Sequence, residues 1–212
     1  MDILVLHDDD FGAALAARLR MTLPGRVAAA RLDDWPDPDA LDQLIAGARH
    51  VVFAWSRPVP RLETAVDRAV LRHRATLLPV VAEAMSVRVG PRLTPDTPAT
   101  VDCYYRRRAQ RAGAHARLGT VHEYFDDHPA GEPAGHLAAT VAIAAAAAAG
   151  FLTAGQPGEA RLALIHPHTG LSTSSVLLGV HGNARSRAPF PPGQRTFARL
   201  RGIVRDAMGV SA

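Results

Sequence analysis

The 212-residue sequence contains no lysine, and all 24 of its basic residues are arginine. This absence excludes a Schiff-base lysine and the phosphate-binding lysine of a P-loop. Cysteine is nearly absent as well: Cys103 is the single one, which excludes an internal disulfide and a cysteine-rich metal site. Aromatic residues make up 5% of the chain and hydrophobic residues 48%, so the core is expected to contain mainly Ala, Val and Leu.

The chain also lacks the segments that would direct it to a membrane. Its first residues show no basic region followed by a long apolar run, so they do not resemble a secretory signal. The most apolar stretch, residues 137–152, is Ala-rich and shorter than the roughly 20 residues that a membrane span needs. We therefore predict a cytoplasmic protein without a membrane partner.

The first part of the chain alternates short apolar runs with helical patterns. Apolar runs indicate buried strands at residues 3–6, 27–32, 50–55 and 77–81, and helical patterns follow up to residue 23 and at 38–48 and 62–73. Pro79 places the fourth strand at a sheet edge or at a bulge. This alternation predicts an α/β fold with a mostly parallel, Rossmann-like sheet flanked by helices on both faces.

The second part of the chain is less regular. We predict a strand at 87–89, a helix that opens near Val101, an Ala-rich helix at 137–152 and an antiparallel strand pair at 161–166 and 172–181. A terminal basic helix is predicted at 194–208, so residues 1–186 form the α/β domain and 187–212 a Pro-rich linker with that helix. Because the Ala-rich helix has almost no polar face, we expect a homodimer or a tight heteromer built around it.

The loop after the first strand stands where a dinucleotide-binding fold carries its Gly-rich phosphate loop. Its candidate residues are His7, Asp8, Asp9, Asp10 and Gly12. Three carboxylates would repel a pyrophosphate unless a metal ion lay between them. The alternative interpretation is an acidic N-cap cluster that the helix dipole favours.

An arginine-rich helix follows the chain's only cysteine. Ion pairing through Arg106, Arg107, Arg108 and Arg111 could recognise an acidic partner, or these side chains could form a solvated helix face. Cys103 itself could act as a nucleophile with a nearby histidine as its base.

A polar, histidine-rich passage at residues 113–135 allows two interpretations. The candidate metal ligands in this passage, together with the histidine directly after it, are His115, His122, Asp126, Asp127, His128 and His136. They show no fixed ligand spacing, so a mobile surface loop is the favoured interpretation and no metal is predicted.

Several short sequence motifs together resemble those of one protein family. They are V89-G90-P91, Pro95 and Pro98, T100-V-D-C103-Y104 with Arg107, G135-H136-L137, and V180-H181-G182-N183-A-R-S186. In this arrangement the sequence is similar to the ThiF-like (ubiquitin-activating-enzyme-like) domains of azoline and thiopeptide biosynthesis, also described as bacteriocin cyclodehydratase domains. The resemblance runs from about Ile3 to Ser186.

The resemblance implies two ligand sites, and the sequence departs from the family at both. Family members hold a structural zinc with two C-x-x-C pairs, where this chain has Thr100, Cys103, Asn183 and Ser186. Activating members bind ATP through a Gly-rich loop and basic side chains, where this chain has the acidic loop. Many members also begin with a winged-helix module that binds the leader peptide, which we expect a separate protein to supply or the system not to need.

These departures predict a non-catalytic ThiF-like partner without a cofactor. It would scaffold or activate a YcaO-type or related modifying enzyme and its precursor (leader) peptide. One alternative is an ATP-dependent peptide-activating enzyme whose site is rebuilt with Mg²⁺ on Asp8, Asp9 and Asp10. A second alternative is a tRNA- or nucleic-acid-binding accessory protein in which Tyr104 and Tyr105 stack on bases.

Overall fold

The computed structural model describes residues 1–32, 36–83, 85–111, 115–128, 136–154, 158–180, 183 and 185. They form one mixed sheet with helices on both faces. The strands are β1 Ile3–His7, β2 Val27–Arg31, β3 His50–Trp55, β4 Thr76–Glu83, β5 Ser86–Val89, β6 Arg161–His166 and β7 Leu171–Val176. The helices are α1 Asp10–Thr22, α2 Pro38–Ile45, α3 Pro60–Arg72, α4 Val101–Arg111, α5 His115–Asp127 and α6 Ala138–Ala154.

The strand order in the sheet is β2-β1-β3-β4-β5-β6-β7. The first four strands are parallel and the remaining pairings are antiparallel. This arrangement confirms the predicted α/β fold, including the antiparallel strand pair near the end of the chain. The predicted terminal helix at 194–208 lies outside the described residues, as does the division at residue 187.

Two hydrophobic clusters cover the two faces of the sheet. Helices α2, α3 and α4 pack on one face around the stacked rings of Phe53 and Trp55. Helices α1 and α6 pack on the other face, against Val52, Ala54 and Leu78. Every residue of β3 is buried because helices cover both of its faces, which explains its continuous apolar run.

Pro79 lies in an interior strand, so the prediction of an edge position is wrong and the alternative of a bulge applies. Strand β4 pairs with β3 on one side and with β5 on the other. The register on the β5 side changes by one residue between the Leu77–Leu93 bridge and the Val80–Val89 pair. Such a change in register is a β-bulge, and it spares Pro79 the ladder hydrogen bond that it cannot donate.

The passage at 113–135 is not the predicted loop throughout, because residues 115–127 form helix α5. This helix packs beside α3, where Asp126 is buried and accepts a hydrogen bond from the Arg61 backbone N–H at 3.0 Å. The helical periodicity of apolar residues is weak in this passage because much of the helix is exposed, including Val121 and Tyr124. A helix with few buried positions gives little periodicity for sequence reasoning to detect.

Helix α6 packs on α1 and on the sheet through Val141, Ala144, Ala145 and Ala148. Its outer face consists of small and apolar residues, among them the exposed Ile143. Among the described residues, the predicted burial of this helix is therefore found on one face alone. Among the described residues, no helix has the length and apolarity that crossing a membrane would require.

Candidate functional site

Strand β1 pairs with β2 on one side and with β3 on the other, so the order of the strands reverses at β1. The carboxyl ends of β1 and β3 lie side by side at this reversal. In doubly wound folds, ligands bind at this switch point, outside the carboxyl ends of the strands. The site is built from the loop after β1, the first turn of α1 and the loop after β3. In this chain the residues of the site form hydrogen bonds and an ion pair with one another.

Asp9 is the N-cap of α1, which confirms the N-cap interpretation of the acidic loop for this residue. Its Oδ1 atom accepts a hydrogen bond from the Gly12 backbone N–H at 2.9 Å, and its Oδ2 atom accepts one from the Ser56 N–H at 3.1 Å. Backbone N–H groups at a helix N-terminus are the usual donors to a bound phosphate. Here a carboxylate of the chain itself takes up two donors at this position.

Position 12 has room only for glycine, because helix α1 runs very close to the sheet there. A Cβ atom at this residue would lie 2.3 Å from the His7 Cβ atom and 2.7 Å from the Ala54 carbonyl oxygen. Positions 7, 9 and 12 have the spacing of the three fingerprint glycines, and the third of these serves close packing of helix and strand. Gly12 therefore retains the packing function, while His7 and Asp9 replace the two glycines that make room for a dinucleotide.

Asp8 forms an ion pair with Arg57, whose Nη2 atom lies 2.9 Å from the Asp8 Oδ2 atom. Burial, followed by the neighbouring Asp9 carboxylate, raises the pKa of Asp8 to about 6, although the Arg57 guanidinium opposes this. Burial likewise lowers the pKa of His7. The site is thus partly desolvated and carries internally paired charges.

The three aspartates do not converge on a common point. Asp9 caps the helix, Asp8 pairs with Arg57, and Asp10 is exposed in the first turn of α1. In the part of the chain that the structure describes, no group of three or more His, Cys, Asp and Glu side chains could hold a metal ion. The geometry therefore gives no support to a rebuilt Mg²⁺ site at this loop.

A second cluster forms around Cys103, near the start of α4. The Cys103 sulfur lies 3.2 Å from the Thr100 Oγ1 atom, 3.3 Å from the Val180 backbone nitrogen and 3.3 Å from the Asn183 Nδ2 atom. Three of the four positions singled out by the resemblance thus meet, and Ser186 lies outside the described residues. Because Cys103 is fully buried, the interpretation as an accessible nucleophile is wrong.

Arg185 adds further polar contacts to the body of the domain. Arg185 donates to Asp67 Oδ1 and to the Thr94 carbonyl oxygen, both at 2.6 Å. The other oxygen of Asp67 accepts the backbone N–H of Val101 at the start of α4. Burial raises the pKa of Asp67, and the paired Arg185 guanidinium opposes that shift. Sequence reasoning missed this ion pair because its partners are 118 residues apart.

A buried polar network lies between β5, α3 and α4, and sequence reasoning missed it as well. Arg88 is fully buried and donates to both carboxylate oxygens of Glu63, at 3.0 and 2.8 Å. Its guanidinium lies 4.3 Å from the ring centre of Tyr104, and the Tyr105 hydroxyl donates to Glu63 at 2.6 Å. Burial opposes the charge on Arg88, but the adjacent Glu63 carboxylate raises the pKa of Arg88 well above its ordinary value.

This network corrects the prediction that the two tyrosines could stack on bases. Tyr104 is buried, and its hydroxyl donates to Glu83 at 3.1 Å. Burial raises the pKa of Tyr104 to about 12. The ring of Tyr105 packs edge-on against Tyr104 and His122. The Tyr104 ring is therefore not available to stack on a base, and the half-buried Tyr105 ring is partly covered by its neighbours.

Two arginines of α4, Arg107 and Arg108, are engaged inside the chain, so the predicted basic face is narrower than expected. Arg107 Nε donates to the Leu178 carbonyl oxygen at 2.8 Å, so it holds the segment that follows β7. Arg108 forms an ion pair with Glu83. Arg106, the most exposed of the three, pairs with Asp102 one helical turn away. The side chain of Arg111 lies outside the described residues.

The candidate metal ligands of the histidine-rich passage are dispersed. His122 packs on Tyr105, His128 bonds to the Tyr124 carbonyl oxygen, and His136 packs on Phe11. Asp126 and Asp127 both interact with Arg61, and the side chain of His115 is outside the described residues. These partners account for the described side chains without a shared ion.

Solved structures with a similar fold include a heterocyclase and a microcin synthetase. The heterocyclase TruD matches with a TM-score of 0.55 and 16% identity over 84% of this chain and 26% of that chain. The Escherichia coli microcin synthetase McbBCD complex matches with a TM-score of 0.59 and 10% identity over 87% of this chain and 68% of that chain. Escherichia coli MccB matches with a TM-score of 0.54 and 12% identity, over 90% and 59% of the two chains.

These matches confirm the predicted resemblance at the level of the fold. The chain spans about a quarter of the length of the heterocyclases that it matches, 24% in one structure and 26% in the other. No protein-family model matches the sequence, and no curated protein matches it either.

Proposed function

We propose that the chain is a non-catalytic, ThiF-like partner protein in the biosynthesis of ribosomal peptide natural products of the thiazole, oxazole or thiopeptide type. It would scaffold or activate a YcaO-type or related modifying enzyme and its precursor peptide. The observation that carries the proposal is the position of the Asp9 carboxylate at the N-terminus of α1. A phosphate needs the backbone donors that this side chain already occupies.

The charges around Asp9 support the same conclusion. A pyrophosphate at the switch point would meet the carboxylates of Asp8 and Asp9 at short range, where Coulomb repulsion in a partly desolvated site is strong. The nearest buried cation, Arg57, is already paired with Asp8. With no lysine in the sequence, the chain has no ammonium group to offset this repulsion. Retention of the packing glycine, Gly12, fits a fold that is kept for its shape rather than for nucleotide binding.

The similar structures support the biosynthetic setting. They include a heterocyclase in complex with substrate and cofactor, a microcin synthetase complex, and MccB together with MccA. This chain would supply a comparable domain to such an assembly. The outer face of α6, which is apolar around Ile143, is the part of the surface that we assign to a heteromeric contact with the modifying enzyme.

Binding of Mg-ATP tests the central claim. By isothermal titration calorimetry we expect no binding to the wild-type protein at up to millimolar nucleotide, and no ATP hydrolysis. A dissociation constant below a millimolar would favour the alternative of a peptide-activating enzyme with a rebuilt site.

Reconstitution tests the partner role separately. The chain would be co-purified with the products of its neighbouring genes, and modification of the precursor peptide would be followed by mass spectrometry. We expect modification to require the chain and to persist in an Asp10→Ala variant, whose exposed side chain has no role in the fold's contacts. Modification that proceeds equally well without the chain contradicts the proposal.

A further inference from the structure

Among the residues that the structure describes, strand β7 forms an open edge of the sheet that shows little of the usual protection. All six of its residues, LSTSSV, are exposed on both faces of the sheet, and its ladder partner is β6. Natural edge strands are commonly protected by charged residues, by proline or by a bulge. β7 contains no charged residue and no proline, and its register with β6 is continuous over six pairs.

The hydrogen-bonding groups on this edge can be assigned residue by residue. The Leu177 backbone N–H donates to the Ala160 carbonyl oxygen at 2.8 Å, so Leu177 faces β6. Because the direction of the backbone groups alternates along an antiparallel strand, residues 171, 173 and 175 also face β6. The N–H and C=O groups of Ser172, Ser174 and Val176 therefore point away from the sheet, and an extended backbone would satisfy all of them.

We propose that this edge pairs with β7 of a second copy of the chain, antiparallel and across a two-fold axis at Ser174. In this register Ser174 faces Ser174 of the second copy, and Ser172 faces Val176. All three outward-pointing residues then form hydrogen-bonded pairs with each other. A two-fold axis through Ser174 also keeps each pair of opposed side chains on the same face of the sheet. The pairing would join two seven-stranded sheets into one.

The composition of the strand favours a second copy as the occupant. Because β7 is uncharged, two copies meet without the like-charge repulsion that commonly prevents self-pairing. Its opposed side chains are Ser, Thr and Val, which are small enough to pack across adjacent strands. The strongly exposed Leu171 and Leu178, at 65% and 66% exposure, lie at opposite ends of the strand. Antiparallel pairing brings Leu171 of each copy close to the end that carries Leu178 in the other.

The pairing is expected to be weak and dependent on concentration. Two six-residue strands bury less than the roughly 1,600 Å² of a standard protein interface. The pairing would hold whether or not the chain serves peptide biosynthesis, and it uses a different surface from the proposed enzyme contact on α6.

Single cysteine variants on β7 test the pairing and its register. Opposed residues in a hydrogen-bonded pair have Cα atoms about 5.5 Å apart, within the range that a disulfide spans. Ser174→Cys should therefore cross-link to a covalent dimer under oxidised glutathione. Ser172→Cys is the matched control, because its two copies would lie about 14 Å apart along the strands. The native Cys103 is buried and should not react.

A mixture of variants sharpens the test. Equimolar Ser172→Cys and Val176→Cys chains should cross-link to each other, while each alone should not. Equal cross-linking of Ser174→Cys and Ser172→Cys would indicate random collision and would overturn the proposal. A second measurement is amide hydrogen exchange by NMR: the amides of residues 172, 174 and 176 should gain protection as concentration rises, with no such gain at 173 and 175. A protein that stays monomeric at every concentration up to the millimolar range overturns the proposal, even if another partner binds β7.

Discussion

The loop after β1 and the cluster around Cys103 are the two places where the resemblance to ThiF-like domains predicts ligand sites, and they differ in the contacts that fill them. At the loop, an anionic side chain, Asp9, occupies donors that would otherwise bind a phosphate. At Cys103, hydrogen-bond donors from Asn183 and the Val180 backbone surround a sulfur that would otherwise bind a cation. Asp9 thus presents an anionic group to backbone donors, whereas Cys103 accepts hydrogen bonds from polar donors.

The two replacements also differ in what they hold together. The Asp9 contacts are local to the switch point and connect the start of α1 to the loop after β3. The Cys103 contacts reach across the chain, because Val180 and Asn183 belong to the segment that follows β7. The cluster around Cys103 therefore fastens a distant segment to α4, while the Asp9 contacts stabilise the loop itself. Substitutions at the fastening contacts should have the larger effect.

The largest effect is expected from Arg185→Met. This change leaves the carboxylate of Asp67 buried without its cation, and breaking a buried ion pair in this way costs about 3 kcal/mol or more of unfolding free energy. Urea denaturation followed by circular dichroism measures it. Arg106→Met is the control, since the exposed pair with Asp102 contributes less than about 1 kcal/mol. If the two variants lose the same stability, Arg185 does not fasten the segment.

Asp9→Gly is expected to cost less, about 1–2 kcal/mol, chiefly because it removes the charge-assisted bond to the Ser56 N–H; loss of the capping side chain itself adds little, since glycine is tolerated at an N-cap. It also restores a glycine at the second fingerprint position. Inorganic phosphate should therefore raise the melting temperature of the variant and leave that of the wild type unchanged. Asp10→Ala serves as the control, because Asp10 is exposed and the cap bond is made by Asp9. A phosphate effect of equal size in all three proteins would contradict the replacement by Asp9.

Several strands could be predicted from the sequence because their signals are local. The apolar run at 50–55 coincides with β3 of the parallel part, and residues 161–166 coincide with β6 of the antiparallel part. The strand predicted at 172–181 was too long, since β7 ends at Val176 and the segment after it is held by side chains instead. Where side-chain contacts rather than a ladder fix the backbone, a strand pattern overestimates the length.

The polar interior could not be predicted, for a different reason. Arg88 alternates with Val87 and Val89, so a period-two pattern places it on a solvated face of the strand. It is buried because α4 covers that face and supplies Tyr104, while α3 supplies Glu63. Such a network depends on three distant segments meeting, which no local pattern in one sequence encodes. The N-cap at Asp9, by contrast, needs only a neighbouring helix start and was within reach of sequence reasoning.

Asn183→Asp is expected to cost about 1 kcal/mol. It replaces an amide that donates to the Cys103 sulfur and to the Pro98 carbonyl oxygen with a group that can only accept. Chemical denaturation measures the loss, and Asn183→Gln is a control that keeps the donor. If the aspartate variant were as stable as the wild type, the donors would not be what replaces a cation at the sulfur.

Measuring the zinc content is a second test of the cluster around Cys103. We expect purified wild-type protein to contain no stoichiometric zinc, since Thr, Asn and Ser are poor zinc ligands. A triple variant with Thr100→Cys, Asn183→Cys and Ser186→Cys should bind about one zinc per chain, because four thiolates form a tetrahedral site. Stoichiometric zinc in the wild type, lost together with the fold on chelation, would contradict the metal-free interpretation of the cluster.

A pH-dependent effect is expected from the titration of Asp8. Burial raises its pKa to about 6 from an ordinary value of 3.8, so the folded protein holds this proton more tightly than the unfolded chain does. The contribution of this group to the unfolding free energy is therefore greatest below about pH 4 and falls as the pH rises to about 6. Asp8→Asn removes this dependence and still offers an oxygen to Arg57. The carboxyl ¹³C shift of Asp8 should titrate near pH 6, and the stability difference between variant and wild type should change between pH 4 and 6. A midpoint near pH 4 would mean that Arg57 outweighs burial and that the switch point is better solvated than its contacts indicate.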